Sequence, residues 1–300
     1  MDFINNYSGE LAALLTALFW TITALAFESA SLKVGSMSVN VIRLFIGLTF
    51  LTIFNVATRG SFFPFVVEGN NWLWLVISGL IGFVFGDYFL FRSYTIIGSR
   101  FAMLIMTLVP PITAFFSWFI LRERLTLLNY AGMCLTFSGI ALAIFNRKNG
   151  KEKLGLKLAP MGILFAFFGA LGQALGLVLS KLGMGQSDPF AATQVRLVAG
   201  LAGFVIIVTV LRRWRDVYTA LSHRAGVRAI FLGSFFGPFL GVSFSLISVR
   251  HTSAGIASTL MAIVPVLIIL PAVLLFRQKV TFWEVVGAFL SVAGVALFFI

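Results

Sequence analysis

Charge is what this 300-residue chain has least of. Only 11% of its residues are Asp, Glu, Lys or Arg, against 60% hydrophobic, and the mean hydropathy is +1.03. A water-facing surface needs polar side chains on every outward face, so this composition excludes a soluble globular domain and makes lipid the solvent. Cysteine occurs once and histidine twice. A disulfide framework and a cysteine-based metal site are thereby excluded, and Cys134, inside an apolar run, is expected to be packing. There is no HExxH motif and no nucleotide-binding glycine loop, so neither metal-dependent hydrolysis nor direct use of ATP has its chemistry here. No cofactor and no metal are expected.

What is present is a series of apolar windows. Stretches such as 73–91 and 132–145 are nearly uncharged and read as bilayer spans at roughly 20 residues each. Residues 1–9 carry no basic residue before the first apolar run, so that run is expected to be a span rather than a cleaved signal. Ten spans are expected, near 10–31, 39–58, 72–93, 98–121, 125–145, 158–181, 190–211, 228–250, 254–276 and 280–300. The fold class is therefore all-α and membrane-embedded. The net charge of +12 sits largely in two short connectors, Arg147 to Lys157 and Arg212 to Arg228, where lipid headgroups or topology explain it better than a nucleic-acid footprint. Counted by side, fifteen basic residues lie on one face and five on the other, an asymmetry that predicts both termini outside the cytoplasm.

The chain repeats itself. A shift of 155 positions lays Pro110 on Pro265, Arg122 on Arg277, Thr126 on Thr281, Gly132 on Gly287 and Gly139 on Gly294, and a shift of 153 lays Asn40, Arg43 and Gly47 on Thr193, Arg196 and Gly200. Five spans per copy is an odd number, so the second copy enters the membrane from the opposite side and the halves are inverted. The expected division is 1–146, a basic linker 147–157, and 158–300. Glycines 79, 82 and 86 recur in spacing as 169, 172 and 176, stripes that let helices approach closely. Prolines at matching places, Pro110 and Pro265, free helix carbonyls that membrane depth tolerates only against protein or a wet cavity. Pro110, Pro265, Gly86 and Gly176 are the expected structural or hinge positions.

These features resemble the drug/metabolite transporter superfamily, in its two-repeat EamA type. Pro110, then Arg122-Glu123-Arg124-Leu125-Thr126, then Gly132 and Gly139 match the end of an EamA half; the second half departs, with Arg277-Gln278-Lys279-Val280-Thr281 placing Gln278 where the usual acid stands. The resemblance implies a basket of ten helices around a central cavity, alternating access between inverted halves, and export of amino acids, metabolites or amphipathic compounds from a bacterial cytoplasmic membrane. Related carriers are often drawn with both termini inside.

Ionisable residues within spans are the sharpest site candidates, since each costs at least about 2.5 kcal/mol at a helix centre. Glu28, Arg43 and Asp87 face the same membrane side by connectivity and are expected to meet. Arg43 between two carboxylates is either a mutual relief of burial cost, or it leaves Asp87 or Glu28 as a proton site or a contact for a substrate amine. The second half has Lys181 and Val242 where the first has Glu28 and Asp87; inversion places Lys181 and Arg196 on the other face, Lys181 snorkelling to the interface. Trp20, Gln173, Tyr88, Tyr94, Gln194, Ser243, Ser245 and Met106 are expected to line a mixed aromatic and polar cavity, with Met103 and Met261 as an adaptable wall. No single one of the 34 phenylalanines is distinguishable as a site residue. A secondary transporter is the leading expectation, its partners a small solute, lipid and coupled protons. Efflux of amphipathic drugs, an intramembrane enzyme and a channel are the alternatives. An enzyme lacks a second catalytic aspartate, and a channel lacks a continuous polar ring.

Overall fold

In lipid every backbone N–H and C=O must be satisfied within the protein, which for these apolar windows leaves helices. The computed structural model describes residues 6–63, 71–145, 159–267 and 282–297, and among these there is no strand. Six helices are long and apolar enough to cross a membrane: α1 Ser8–Val34, α2 Ser36–Arg59, α3 Asn71–Ser99, α6 Pro160–Met184, α7 Pro189–Val210 and α9 Arg224–His251. Four others are apolar but shorter: α4 Met106–Leu121 and α10 Ala254–Leu267, with α5 Leu127–Phe145 and α11 Phe282–Ala296. The expected count of ten spans therefore meets six long helices and four short ones among the described residues. The basic linker 147–157 and the second turn 277–281 lie outside them.

The short helices have local causes. Gly98, at φ +76°, kinks the run between α3 and α4, a conformation that costs glycine little. Arg122, left-handed at φ 58°, ends α4. One element was not expected at all. The second basic connector contains α8, Trp214–Ser222, which buries only Val217 and Ala220, as a helix lying along an interface would.

Helix pairing follows the repeat. α3 packs antiparallel on α6 along its length: Leu75 meets Gly183, Gly82 meets Gly176, Gly86 meets Gly172, Leu90 meets Gly169 and Ile97 meets Gly162. α1 packs on α9 in the same sense, with Trp20 against Gly241, Thr23 against Gly237, Phe27 against Gly233 and Val34 against Gly226. The third helix of each half thus lies on the first helix of the other. The two seams are reciprocal, which is what an inverted repeat requires. α5 and α11 form a third antiparallel pair, where the Ser291 hydroxyl donates to the Thr136 carbonyl at 3.3 Å.

Both third helices also change their winding at the same place. Leu80–Gly86 in α3 and Phe235–Gly241 in α9 are π-helical, and the two segments are related by the same 155-residue shift. Single π turns inside α-helices concentrate at functional sites. Only the second contains a proline, Pro238, so proline is not the common cause. Cys134, expected inside the packing, is exposed on α5; its neighbour Met133 takes the inward position, and one residue along a helix turns the side chain by about 100°.

Candidate functional site

The π segments flank a cavity of about 130 Å³ at the centre of the bundle. Its walls come from α1, α3, α4, α6, α9 and α10, with one arginine from each of α2 and α7. Both arginines are the eighth residue of their helix, Arg43 in Ser36–Arg59 and Arg196 in Pro189–Val210. At 1.5 Å per residue each lies roughly 10 Å in from its helix start. The two helices run antiparallel, since Gly47 meets Leu197 while Phe54 stacks on Phe190. The arginines therefore enter from opposite ends and reach one cavity.

Their surroundings differ. Arg43 is held from three sides: its Nη2 donates to Asp87 Oδ2 at 2.5 Å, its Nε donates to Asn40 Oδ1 at 2.9 Å, and its guanidinium lies 4.6 Å from the Phe91 ring centroid. Phe27 and Phe83 complete the aromatic shell at 5.6 and 5.8 Å, an arrangement that stabilises a desolvated cation. Asp87 receives a second donor on its other oxygen, Gln173 Nε2 at 2.5 Å. Arg196 has no such support. It is 5% exposed, its guanidinium lies 5.1 Å from the Phe83 ring, and its Nε has no hydrogen-bond partner. Among the described residues no carboxylate pairs with it.

Eight of the expected site residues line the cavity: Trp20, Arg43, Asp87, Tyr94, Met106, Gln173, Arg196 and Ser245, with Met103 and Met261 beside them. Four lie elsewhere. Glu28 does not join Arg43 and Asp87; its carboxylate accepts from the Ser99 backbone N–H at 3.1 Å and from the Ser99 hydroxyl at 2.5 Å, because the Gly98 kink carries that backbone against it. Gln194 sits in the seam between α2 and α7, accepting from Asn55 at 2.7 Å and donating to the Phe62 carbonyl. Tyr88 packs edge-on against Phe89, and Ser243 is fully buried in α9. Arg196 corrects the expectation in the other direction: it does not stay on the opposite face, since its depth carries it to the same cavity as Arg43. Lys181 also departs from the snorkelling expected of it. Its ammonium pairs with Glu123 at 2.6 Å and donates to the Thr252 carbonyl at 2.7 Å.

Pro110 is buried in the first turns of Val109–Phe116, Pro265 lies in Val264–Leu267, and Gly86 and Gly176 lie in the α3 and α6 seam. Phe27, Phe83 and Phe91 were not distinguishable in sequence among so many phenylalanines. The one signal pointing to them is the need of a buried arginine for a face on which to lie.

The EamA-like transporter family profile matches residues 7–145 and 160–300. The chain belongs to that family. An uncharacterized transporter of Clostridium kluyveri is 21% identical over 287 residues, covering 95% of this chain and 91% of its own. Protein LicB of Haemophilus influenzae is 23% identical over 206 residues, 68% of each chain. A solved crystal structure superposes with a TM-score of 0.72 at 20% identity, covering 97% of this chain and 96% of that one, and shows the same fold. This EamA-like protein is a multi-pass integral membrane transporter of a small-molecule solute, not an enzyme, and its inverted halves meet at the arginine-lined cavity.

Proposed function

We propose that this EamA-like protein exports amino acids or related small metabolites across a bacterial cytoplasmic membrane by alternating access. The observation that carries the reading is the cavity itself, which is built from both halves, lies between their reciprocal seams, and receives one arginine from each. Rocking one half against the other would expose that cavity to each side in turn. The π segments Leu80–Gly86 and Phe235–Gly241 border it from both halves and are the places where α3 and α9 would bend. Protons are the proposed coupling ion, with Asp87 as the group to test, since it is the cavity's own carboxylate.

Reconstituted protein should move at least one radiolabelled amino acid or metabolite from a broad panel faster than empty liposomes, and an imposed pH gradient should change the rate. Failure of the whole panel counts against the reading. A second reading, efflux of amphipathic drugs, is supported by the largely apolar wall of Trp20, Phe27, Phe91, Leu177 and Met261. Flux of a lipophilic dye without flux of any amino acid would favour it.

A further inference from the structure

Among the described residues the cavity is lined by two arginines and a single carboxylate, Asp87. Arg43 already takes one oxygen of that carboxylate, and Gln173 takes the other. The second arginine, Arg196, is 5% exposed, pairs with no carboxylate among the described residues and leaves its Nε without a hydrogen-bond partner; Asp87 reaches it only through space, with that carboxylate already paired to Arg43. A guanidinium that shares its nearest carboxylate with another arginine is costly at membrane depth, and such groups persist where they mark a substrate pathway. Resting on the carrier reading above, we infer that the transported solute bears one carboxylate and that Arg196 is the group that binds it.

The class follows from the count of charges and the shape of the wall. A surplus of one positive charge matches a monoanion, whereas a phosphate dianion would leave one negative charge over. Guanidinium and carboxylate meet in a bidentate geometry that a buried arginine favours. Most of the rest of the wall is apolar, with Thr23, Tyr94, Ser245 and Ser258 among its polar members, and about 130 Å³ is close to the roughly 150 Å³ that accepts a benzene ring. The solute therefore has a compact apolar body of that size. A substrate ammonium finds no open carboxylate: Asp87 is occupied, and Glu28 lies outside the lining on Ser99. The carboxylate is required; an amino group is only tolerated.

Three probes share one branched body: 4-methylpentanoate carries the carboxylate alone, 3-methylbutylamine the ammonium alone, and L-leucine both. Thermal unfolding of the purified full-length protein should shift upward with the acid and with leucine, and not with the amine. Arg196→Gln should weaken acid binding roughly ten- to hundredfold, the range of a lost charge-assisted hydrogen bond. Arg196→Lys, which keeps the charge but loses the bidentate fork, should bind the acid between wild type and Arg196→Gln, and guards against a folding defect. The inference is overturned if the amine shifts unfolding as much as the acid, if none of the three does, or if Arg196→Gln binds like the wild type. Liposome flux separates this from the carrier reading. Flux of an amine with no acid binding leaves the carrier and removes the carboxylate; acid binding without flux of any solute does the reverse.

Discussion

The Lys181 ammonium lies 2.6 Å from the Glu123 carboxylate, at the repeat position that Glu28 holds in the first half. The other Glu123 oxygen accepts the Ala254 backbone N–H at 2.9 Å, and Ala254 is Ser99 moved by 155 residues. In each half a carboxylate thus accepts the backbone N–H at the same repeat position. In the first half Glu28 of α1 supplies it. In the second a lysine stands there instead, and the acid crosses from the turn after α4.

Because Lys181 and Glu123 are 22% and 16% exposed at the side chain, their pair is screened only in part. Glu123→Gln should destabilise the protein by about 1 kcal/mol, the cost of a half-buried cation losing its partner while it keeps the Thr252 carbonyl. Lys181→Met in the same chain should recover part of that loss. A double-mutant cycle on thermal unfolding measures it, and additive effects would mean that the two do not interact.

At the cavity, Asp87→Asn removes the one carboxylate beside Arg43, which is 3% exposed. The expected destabilisation is about 3–5 kcal/mol, since breaking a buried pair leaves an unbalanced charge. Arg43→Met together with Asp87→Asn should unfold at a higher temperature than Asp87→Asn alone. A double variant no more stable than the single one would show that Asn40 and the aromatic rings suffice for Arg43.

These two pairs mark how far sequence reasoning reaches. The inverted repeat, Arg43 with Asp87, and Trp20 with Gln173 on the cavity wall were all readable, because they depend on connectivity and helix spacing. Lys181 with Glu123 was not, since it joins residues 58 positions apart across two halves and no local pattern predicts that approach. The π segments were equally hidden: hydropathy does not register one extra residue in a turn, although Gly82, Gly86, Gly237 and Gly241 bracket both. Glu28 was misplaced for a similar reason. Depth put it level with Arg43, but the Gly98 kink, with its positive φ, set which backbone it met.

The α3 and α6 seam gives a packing prediction. A Cβ on Gly172 would stand 2.5 Å from Gly86 Cα and 2.8 Å from its nitrogen. Neither is a side chain that could move aside, so Gly172→Ala must separate the helices. Overpacking of this kind costs about 1–3 kcal/mol, and lipid offers no hydrophobic gain to offset lost helix contact. A lowered unfolding temperature with reduced transport is expected; unchanged stability would show that α6 can rotate without penalty.

An aromatic ring lies beneath the Arg43 guanidinium. Phe91 lies closest of the three aromatic faces, at 4.6 Å, and stacks on Tyr94 at 5.4 Å. Phe91→Leu keeps an apolar side chain there but removes the π face, so the loss is chiefly the cation–π attraction, about 0.5–2 kcal/mol for a desolvated pair. Phe91→Tyr keeps the face and should unfold near the wild-type temperature, its added hydroxyl having the cavity to occupy. If the leucine and tyrosine variants unfold together, Arg43 is held by Asp87 and Asn40 alone. If leucine alone is destabilised, and by less in an Arg43→Met background, the ring is part of what lets a guanidinium remain charged in the middle of a membrane protein.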